Sequence, residues 1–403
     1  MSNRTTWNFY TAGRLIFGRG AVHEIGGAVA REAVCRVMIV TDTTLIEVGV
    51  CDRVRGSLAA AGLEVGIFDG GEAEPSIDIV QRCTEFAREF CPEVIVGVGG
   101  GSNLDLSKMT AVLLTHGGQP SDYFGYDTVP GPVCRLVCVP TTSGTGSEVS
   151  HAAVLTDTEN EIKVSTLSPY LRPRLAVVDP ELTLTCPRQT TVDSGIDALT
   201  HAIEAYTAID YSQLDIPAGD GCPYDGRNPL TDCLAEKAIQ LISQHLVAAV
   251  SEPNNPDARE GMALAATMAG MAFSNAGVAI VHALEYPLGG ALHCSHGAGN
   301  GMLLPYVMRY NLPVRAAALS RIAQLMGEEI NGLSSESAAE RAIEAVIHLR
   351  QDIGVPHRIR EFGGTAEQLP GFAAKSFAIQ RLMSLNPRVP TEKDLLGILR
   401  EAL

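Results

Sequence analysis

Four residues carry the chemistry most legibly: Asp197, His201, His282 and His296. Asp197 and His201 lie in TVDSGIDALTHAIEAY, four positions apart. A helix sets residues i and i+4 on one face, one above the other. His282 and His296 lie in VHALEYPLGGALHCSHG, fourteen apart. Three imidazoles and one carboxylate suit a borderline first-row ion such as iron(II) or zinc, whereas calcium and magnesium prefer shells of oxygen. Any one of these histidines alone would read as a packed or surface side chain; the set reads as a metal site. Cys294, two residues before His296, reads as a small residue in a turn, with a soft extra ligand as its alternative.

Two turns point to a second ligand. In VIVGVGGGSNLDLSK a Val/Ile-rich run enters Gly99, Gly100, Gly101 and Ser102 and continues as a helix. Glycines let a ligand approach the backbone, and a helix N-terminus presents free N–H groups to a pyrophosphate. In VPTTSGTGSEVS, Thr142, Ser143 and Thr145 supply hydroxyls, and Gly144 and Gly146 permit unusual backbone angles. Two such turns at the carboxyl ends of parallel strands favour a nucleotide, although each alone reads as a polar loop. Asp42 ends the strand MIVTD. It reads either as an acceptor for ribose hydroxyls, favouring NAD over NADP, or as a helix cap. A Lewis acid and a nicotinamide together suggest hydride transfer at an alcohol or carbonyl carbon.

The elements that must position these groups divide the chain. CRVMIVTD, LEVGIFDG, EVIVGVGGG, RLVCVPTT and RLAVVDP read as buried strands, with helices such as DIVQRCTEFAREF between them. That alternation predicts a parallel, doubly wound sheet. Beyond Pro187 the pattern changes to long Ala- and Leu-rich helical segments. The expected domains are therefore 1–187, α/β and dinucleotide-binding, and 188–403, all-α and metal-binding, with a ligand cleft between them. The segment from Ile209 to Leu230 has no periodicity and reads as an insertion, either a lid or a surface excursion.

Bulk properties exclude other classes. The chain is 46% hydrophobic and 19% charged, which describes a globular protein. Its net charge of -16 repels phosphate backbones, so no nucleic-acid partner is expected. The ten cysteines form no C-x-x-C pair and sit in apolar surroundings, as reduced thiols of a cytoplasmic protein would. No signal-peptide core and no run long enough to span a membrane is read.

GVGGGSNLDLSK, PTTSGTGSEVS, DPELT, DSGIDALTHAIEAY and HALEYPLGGALHCSHGAGNGMLLPYVMRYN resemble the iron-containing, group III alcohol dehydrogenases over nearly the whole chain. The resemblance implies a Rossmann-like N-terminal domain and an all-helical C-terminal domain, as in dehydroquinate synthase-like folds. It implies iron(II), with zinc possible, on Asp197, His201, His282 and His296. It implies NAD over Gly99, Gly100, Gly101 and Ser102, with Asp42, Asp105, Thr142, Thr145 and Lys163 as further contacts. Lys163 enters through the resemblance alone. Tyr286 and His282 are the residues expected at the reaction itself, and a homo-oligomer, dimer or higher, is expected.

Three departures bear on substrate. Tyr286 stands where many members carry a histidine four residues after the third ligand. Ala73-Glu74-Pro75 stands where many carry Pro-Asn-Pro, and a carboxylate near cofactor phosphates is unexpected. The third is the insertion. These features are similar to hydroxyacid-oxoacid transhydrogenases, which oxidise 4-hydroxybutyrate while reducing 2-oxoglutarate with the nicotinamide retained. The leading expectation is an NAD- and metal-dependent dehydrogenase of small alcohols or aldehydes. The transhydrogenase is the alternative, in which Arg227 would neutralise an anionic substrate unless it is a solvated loop residue. A lyase on the same fold and a non-enzymatic metal-binding module rank lower.

Overall fold

A computed structural model describes residues 4–158, 162–214 and 223–403. The chain forms two compact units. One is Thr11–Cys186; the other is Pro187–Leu403 together with the N-terminal residues up to Tyr10. The boundary expected at residue 187 places those first residues in the α/β half. They join the helical unit because Asn275 clamps the Tyr10 backbone by two hydrogen bonds of 2.7 Å, and Asp225 accepts from the Asn8 N–H at 2.6 Å and from Arg4.

The α/β unit has nine strands among the described residues: β1 (Leu15–Phe17), β2 (Arg36–Val40), β3 (Glu64–Phe68), β4 (Val94–Gly99), β5 (Gly125–Tyr126), β6 (Arg135–Pro140), β7 (Ala152–Asp157), β8 (Ile162–Leu167) and β9 (Leu175–Val178). Its helices are α1 (Ile25–Ala30), α2 (Thr43–Glu47), α3 (Val50–Ala60), α4 (Ile77–Phe90) and α5 (Gly101–His116). Six strands form a parallel sheet in the order β1-β9-β6-β4-β2-β3, and β5-β8-β7 form a smaller one. The five strands read from sequence all lie in the larger sheet. β4 is buried at every position, as a central parallel strand covered on both faces must be. Strand order reverses between β2 and β4, and such a switch point opens a crevice at the carboxyl ends of the strands. Asp42 follows β2 and the Gly99–Ser102 turn follows β4. α5 lies tight on β4, because a side chain at Gly97 would meet Ser107 Oγ at 2.5 Å.

The helical unit contains α6 (Arg188–Thr207), α7 (Pro229–Ser251), α8 (Pro256–Ala276), α9 (Ile280–Leu292), α10 (His296–Leu325), α11 (Ser335–Ile353), α12 (Leu369–Phe377), α13 (Gln380–Met383) and α14 (Glu392–Ala402). Its core is built from small and branched residues: Ala198, Ala202 and Ala205 of α6, Ala265, Ala266 and Ala269 of α8 and Leu303 and Leu304 of α10 belong to one buried cluster. No single helix among the described residues is long and apolar enough to cross a membrane. The insertion lies partly outside the described residues. Its ends are pinned: Tyr211 N donates to Arg227 O at 3.0 Å and Arg227 N to Ile209 O at 2.9 Å. Arg227 itself is half-buried, over the Tyr206 ring and bonded to both carboxylate oxygens of Asp232 at 3.1 and 2.6 Å. It is neither a solvated loop residue nor a charge left over for a substrate.

Glycines set how closely α10 approaches α6. A Cβ at Gly297 would sit 2.0 Å from the Asp193 carbonyl oxygen, and one at Gly301 would sit 2.5 Å from Ile196 Cγ1. We predict that Gly297→Ala lowers the denaturant stability of the helical unit by about 2 kcal/mol or more, since backbone cannot yield as a side chain can. Gly27→Ala, in α1 with nothing within 4 Å of its Cβ, is the control. It should leave the stability unchanged or raise it by about 0.5–1 kcal/mol.

Candidate metal centre and dinucleotide site

α6 carries Asp197, His201 and Glu204 at i, i+4 and i+7, which one face of a helix presents together. α9 carries His282, Glu285 and Tyr286. His293 ends α9 in the left-handed conformation (φ 53°), which turns the chain so that α10 begins at His296. Asp197, His201 and His282 are buried, and one ligand atom from each lies within 4.8 Å of the others. His201 Nε2 stands 3.8 Å from Asp197 Oδ2, and His282 Nε2 stands 3.9 Å from Asp197 Oδ1. Bonds of about 2.0–2.1 Å to one ion in tetrahedral geometry imply about 3.4 Å between ligand atoms, so the set closes with small side-chain shifts. His296 lies outside that three-residue cluster but faces the same point. The Asn300 amide nitrogen is 3.2 Å from both His296 Nε2 and His282 Nε2 and donates to Asp197 Oδ1 at 2.8 Å. Three acceptors converging on one donor have the lone-pair arrangement a cation requires.

Two carboxylates without a marked signal in the sequence fix the imidazoles. Glu204 Oε2 accepts from His282 Nδ1 at 2.5 Å, and its Oε1 accepts from Val281 N at 2.7 Å. Glu285 Oε2 accepts from His296 Nδ1. A carboxylate can only accept, so each ring carries its proton on Nδ1 and turns an Nε2 lone pair inward. His201 stacks on Phe273 with ring centres 4.2 Å apart. Burial alone would push the Asp197 carboxyl up. His201, His296 and His282, with the Asn300 hydrogen bond, outweigh it and hold the group below the usual carboxylate range. Cys294 is buried and is not in the cluster.

Tyr286 lies against the site, its ring 5.9 Å from that of His296 and nearly parallel at 25°. Burial pushes its phenol well above the ordinary value, and the hydrogen-bonded Arg381 guanidinium lowers it only in part. The phenol therefore keeps its proton through the neutral range.

In the α/β unit the two glycine turns interlock. A Cβ at Gly101 would meet Thr145 Cγ2 at 2.8 Å, and one at Gly100 would meet Thr142 at 3.4 Å. Gly99 has φ 149°, which favours glycine, and Gly100 caps α5 without a side-chain hydrogen bond. Asp42 caps α2 through Leu45 N at 3.0 Å, and its second oxygen accepts from Asn103 at 2.7 Å. Ser102 Oγ accepts from Glu74 N at 3.1 Å, and Glu74 binds Lys163 at 2.7 Å. That pair accounts for the unexpected carboxylate: it answers a cation and does not stand alone. Asp105, expected from the resemblance as a cofactor contact, is engaged inward. It accepts from Ser147 Oγ at 2.6 Å and Val154 N at 3.0 Å, and lies 3.8 Å from the fully buried Lys108 ammonium. These contacts tie α5 to β7.

Comparison with known proteins agrees with this architecture. The family model described as iron-containing alcohol dehydrogenase matches residues 12–180, and its C-terminal counterpart matches residues 224–403. The chain belongs to the iron-containing alcohol dehydrogenase family. It is 39% identical to the 1,3-propanediol dehydrogenase of Klebsiella pneumoniae, over 96% of each chain. It is 36% identical to the NAD-dependent methanol dehydrogenase of Bacillus methanolicus, over 98% of this chain and all of that one. A crystal structure of 1,3-propanediol oxidoreductase superposes with a TM-score of 0.92 at 37% identity, covering 99% of this chain and 100% of that one.

Exchanging either supporting carboxylate for an amide should weaken metal binding without removing a ligand. We predict that Glu204→Gln and Glu285→Gln each lower iron(II) or zinc affinity about 10–100-fold in competition with a chelator. Unchanged affinity in both would mean that these carboxylates do not orient the rings.

Proposed function

We propose that this protein is an iron- and NAD-dependent dehydrogenase of small alcohols and aldehydes. The observation that carries the reading is the convergence of a buried carboxylate and imidazole lone pairs on one point, with Nδ1 protons held by Glu204 and Glu285. Asp197, His201, His282 and His296 would hold iron(II), and the same donors accept zinc. When bound, the ion supplies Lewis acidity toward an alcohol or carbonyl oxygen. Gly99, Gly100, Gly101 and Ser102, with Thr142 and Thr145, would receive the NAD pyrophosphate at the α5 N-terminus. Asp42 would accept from the adenosine ribose and repel a 2′-phosphate. Lys163 would add positive charge, partly answered by Glu74.

Oxidation of an alcohol breaks its C–H bond, forms the C=O bond and releases the hydroxyl proton to solvent; NAD, when bound, would supply the hydride acceptor. Reduction reverses each step. This chain's residues bind and orient. Glu204 keeps His282 in one tautomer. Tyr286, neutral, donates a hydrogen bond toward the reacting oxygen and does not act as a base.

The test is NADH formation from short alcohols by protein stripped of metal and then restored with iron(II). Stripping should remove at least about 99% of the rate and iron should return it, since Lewis-acid stabilisation is worth several kcal/mol. Full activity without metal would contradict the reading. The same assay separates a transhydrogenase, which Glu74-Pro75 and Tyr286-Pro287 favour: with one alcohol alone it would stop at one NADH per chain. The raised phenol pKa has its own consequence. A group raised above its ordinary value stays protonated as pH climbs to that value, so donation by Tyr286 persists from pH about 7 to about 10. Tyr286→Phe should lower kcat/KM about tenfold, the worth of one hydrogen bond, and leave the shape of the pH profile unchanged.

A further inference from the structure

Three arginines line one cavity at the end of the sheet opposite the glycine turns. Arg135 opens β6, Arg174 immediately precedes β9 and Arg14 immediately precedes β1. Those strands are neighbours, in the order β1-β9-β6. The sheet fixes their starting points. Ala176 N donates to Arg14 O at 2.9 Å, Arg174 N donates to Leu136 O at 2.9 Å, and Arg135 is in register with Val94 of β4. The cavity between the three holds about 300 Å³, and the Glu32 carboxylate also lines it. Val29 of α1 and Val137 and Leu175 of the sheet, all of one buried cluster, form its apolar wall. Small-molecule sites run from roughly 300 to 1,000 Å³, so a small ligand fits. Every lining residue belongs to the α/β unit.

The lining charges do not balance. Glu32 is shared between two cations, 2.8 Å from Arg174 Nε and 3.6 Å from Arg135 Nε. A guanidinium has five N–H donors, so one carboxylate cannot satisfy two of them. Arg14 is exposed and has neither an ion pair nor a side-chain hydrogen bond among the described residues. Glu93, the other carboxylate near Arg135, accepts from the Cys35 and Arg36 N–H groups at 2.6 and 3.0 Å. Three cations less one lining carboxylate leave two positive charges, on a chain of net charge -16. An anion is drawn to such a chain where a local positive field outweighs the general repulsion.

Arg14 and Arg135 start strands two apart in the sheet, which sets their backbones about 9–10 Å from one another. We infer that this cavity is a further ligand site, for a small organic dianion whose charges are separated by a short apolar spacer. Each charged end meets a guanidinium in the two-point contact that fits a carboxylate or phosphate. The spacer lies on Val137 and Leu175. The six residues of β4 run from this end of the sheet to Gly99, about 20 Å at roughly 3.3 Å per residue, so the site is separate from the glycine turns.

Calorimetric titration of the iron-loaded full chain at low salt tests the inference with adipate, a four-carbon spacer between two carboxylates. One adipate per chain should bind, equally with and without saturating NAD, and adipamide, of the same length without charge, should not. Inorganic phosphate, which has charge but no spacer, should bind at least about tenfold more weakly, since it covers no apolar wall. Arg14→Gln should weaken adipate about tenfold, the worth of one charge-assisted contact. Glu32→Gln should tighten it, because a like charge leaves the wall. Neither position is a metal ligand or part of a glycine turn, so iron affinity should stay at the wild-type value in both. The readout is binding alone and stands whether or not an alcohol is oxidised. No adipate binding at up to about 10 mM overturns the inference, as does an adipate affinity that moves in neither variant. Phosphate bound as tightly as adipate overturns the assigned ligand class.

Discussion

A carboxylate buried as deeply as Asp197 is stable only among positive charges or donors, because desolvation otherwise drives it neutral. Here Asn300 donates to one oxygen. His201 and His282 stand within 4 Å of the two, and the His282 Nε2 lone pair faces the same point, so what remains of that demand is for a cation. The rings bring their own requirement, since each needs one nitrogen to accept and the other to donate. Glu204 and Glu285 meet it for His282 and His296. The helices then follow from the atoms. α6 must carry three functional residues on one face, and α10 must begin close enough to α6 for Asn300 to reach across. Gly297 and Gly301 exist at that contact because nothing larger fits.

The α/β unit solves a different problem, how to leave backbone donors unsatisfied by protein. The strand order turns back between β2 and β4, so the loops after these strands are not covered by a crossover. Gly100 caps α5 without offering a side chain, which leaves the first N–H groups of that helix for an anion. The interlock of Gly101 with Thr145 and Gly100 with Thr142 fixes two turns from distant parts of the chain as one surface. Beneath it, the buried Lys108 joins Asp105, Ser147 at 2.8 Å and the Ala152 carbonyl at 2.7 Å, so the surface rests on a rigid base.

What was readable in the sequence followed from periodicity and burial. VMIV and VIVGVG announce strands because both faces are covered, so their apolar runs are continuous. β1, three residues on a sheet edge, and the half-buried β7 and β8 lack that signal. Asp197 and His201 stood out by helical spacing. Glu204 and Glu285 did not, because a glutamate in a helix ordinarily reads as a solvated charge. Their signal was available, as Glu204 lies seven residues after Asp197 and Glu285 three after His282. Asn300, four after His296, follows the same rule. Spacing within one segment could not show that Glu74 answers Lys163 or that Arg227 is held by Asp232, and Arg381 lies nearly a hundred residues beyond the ring it touches.

Four side chains from three helices would enclose one ion. Crystals of iron-loaded protein, measured on either side of the iron absorption edge, test it without reference to activity. The account predicts one anomalous peak per chain, bonded to Asp197, His201 Nε2, His282 Nε2 and His296 Nε2, with the Nδ1 contacts to Glu204 and Glu285 retained. A peak elsewhere, or one bonded through Nδ1 of His282 or His296, would contradict it.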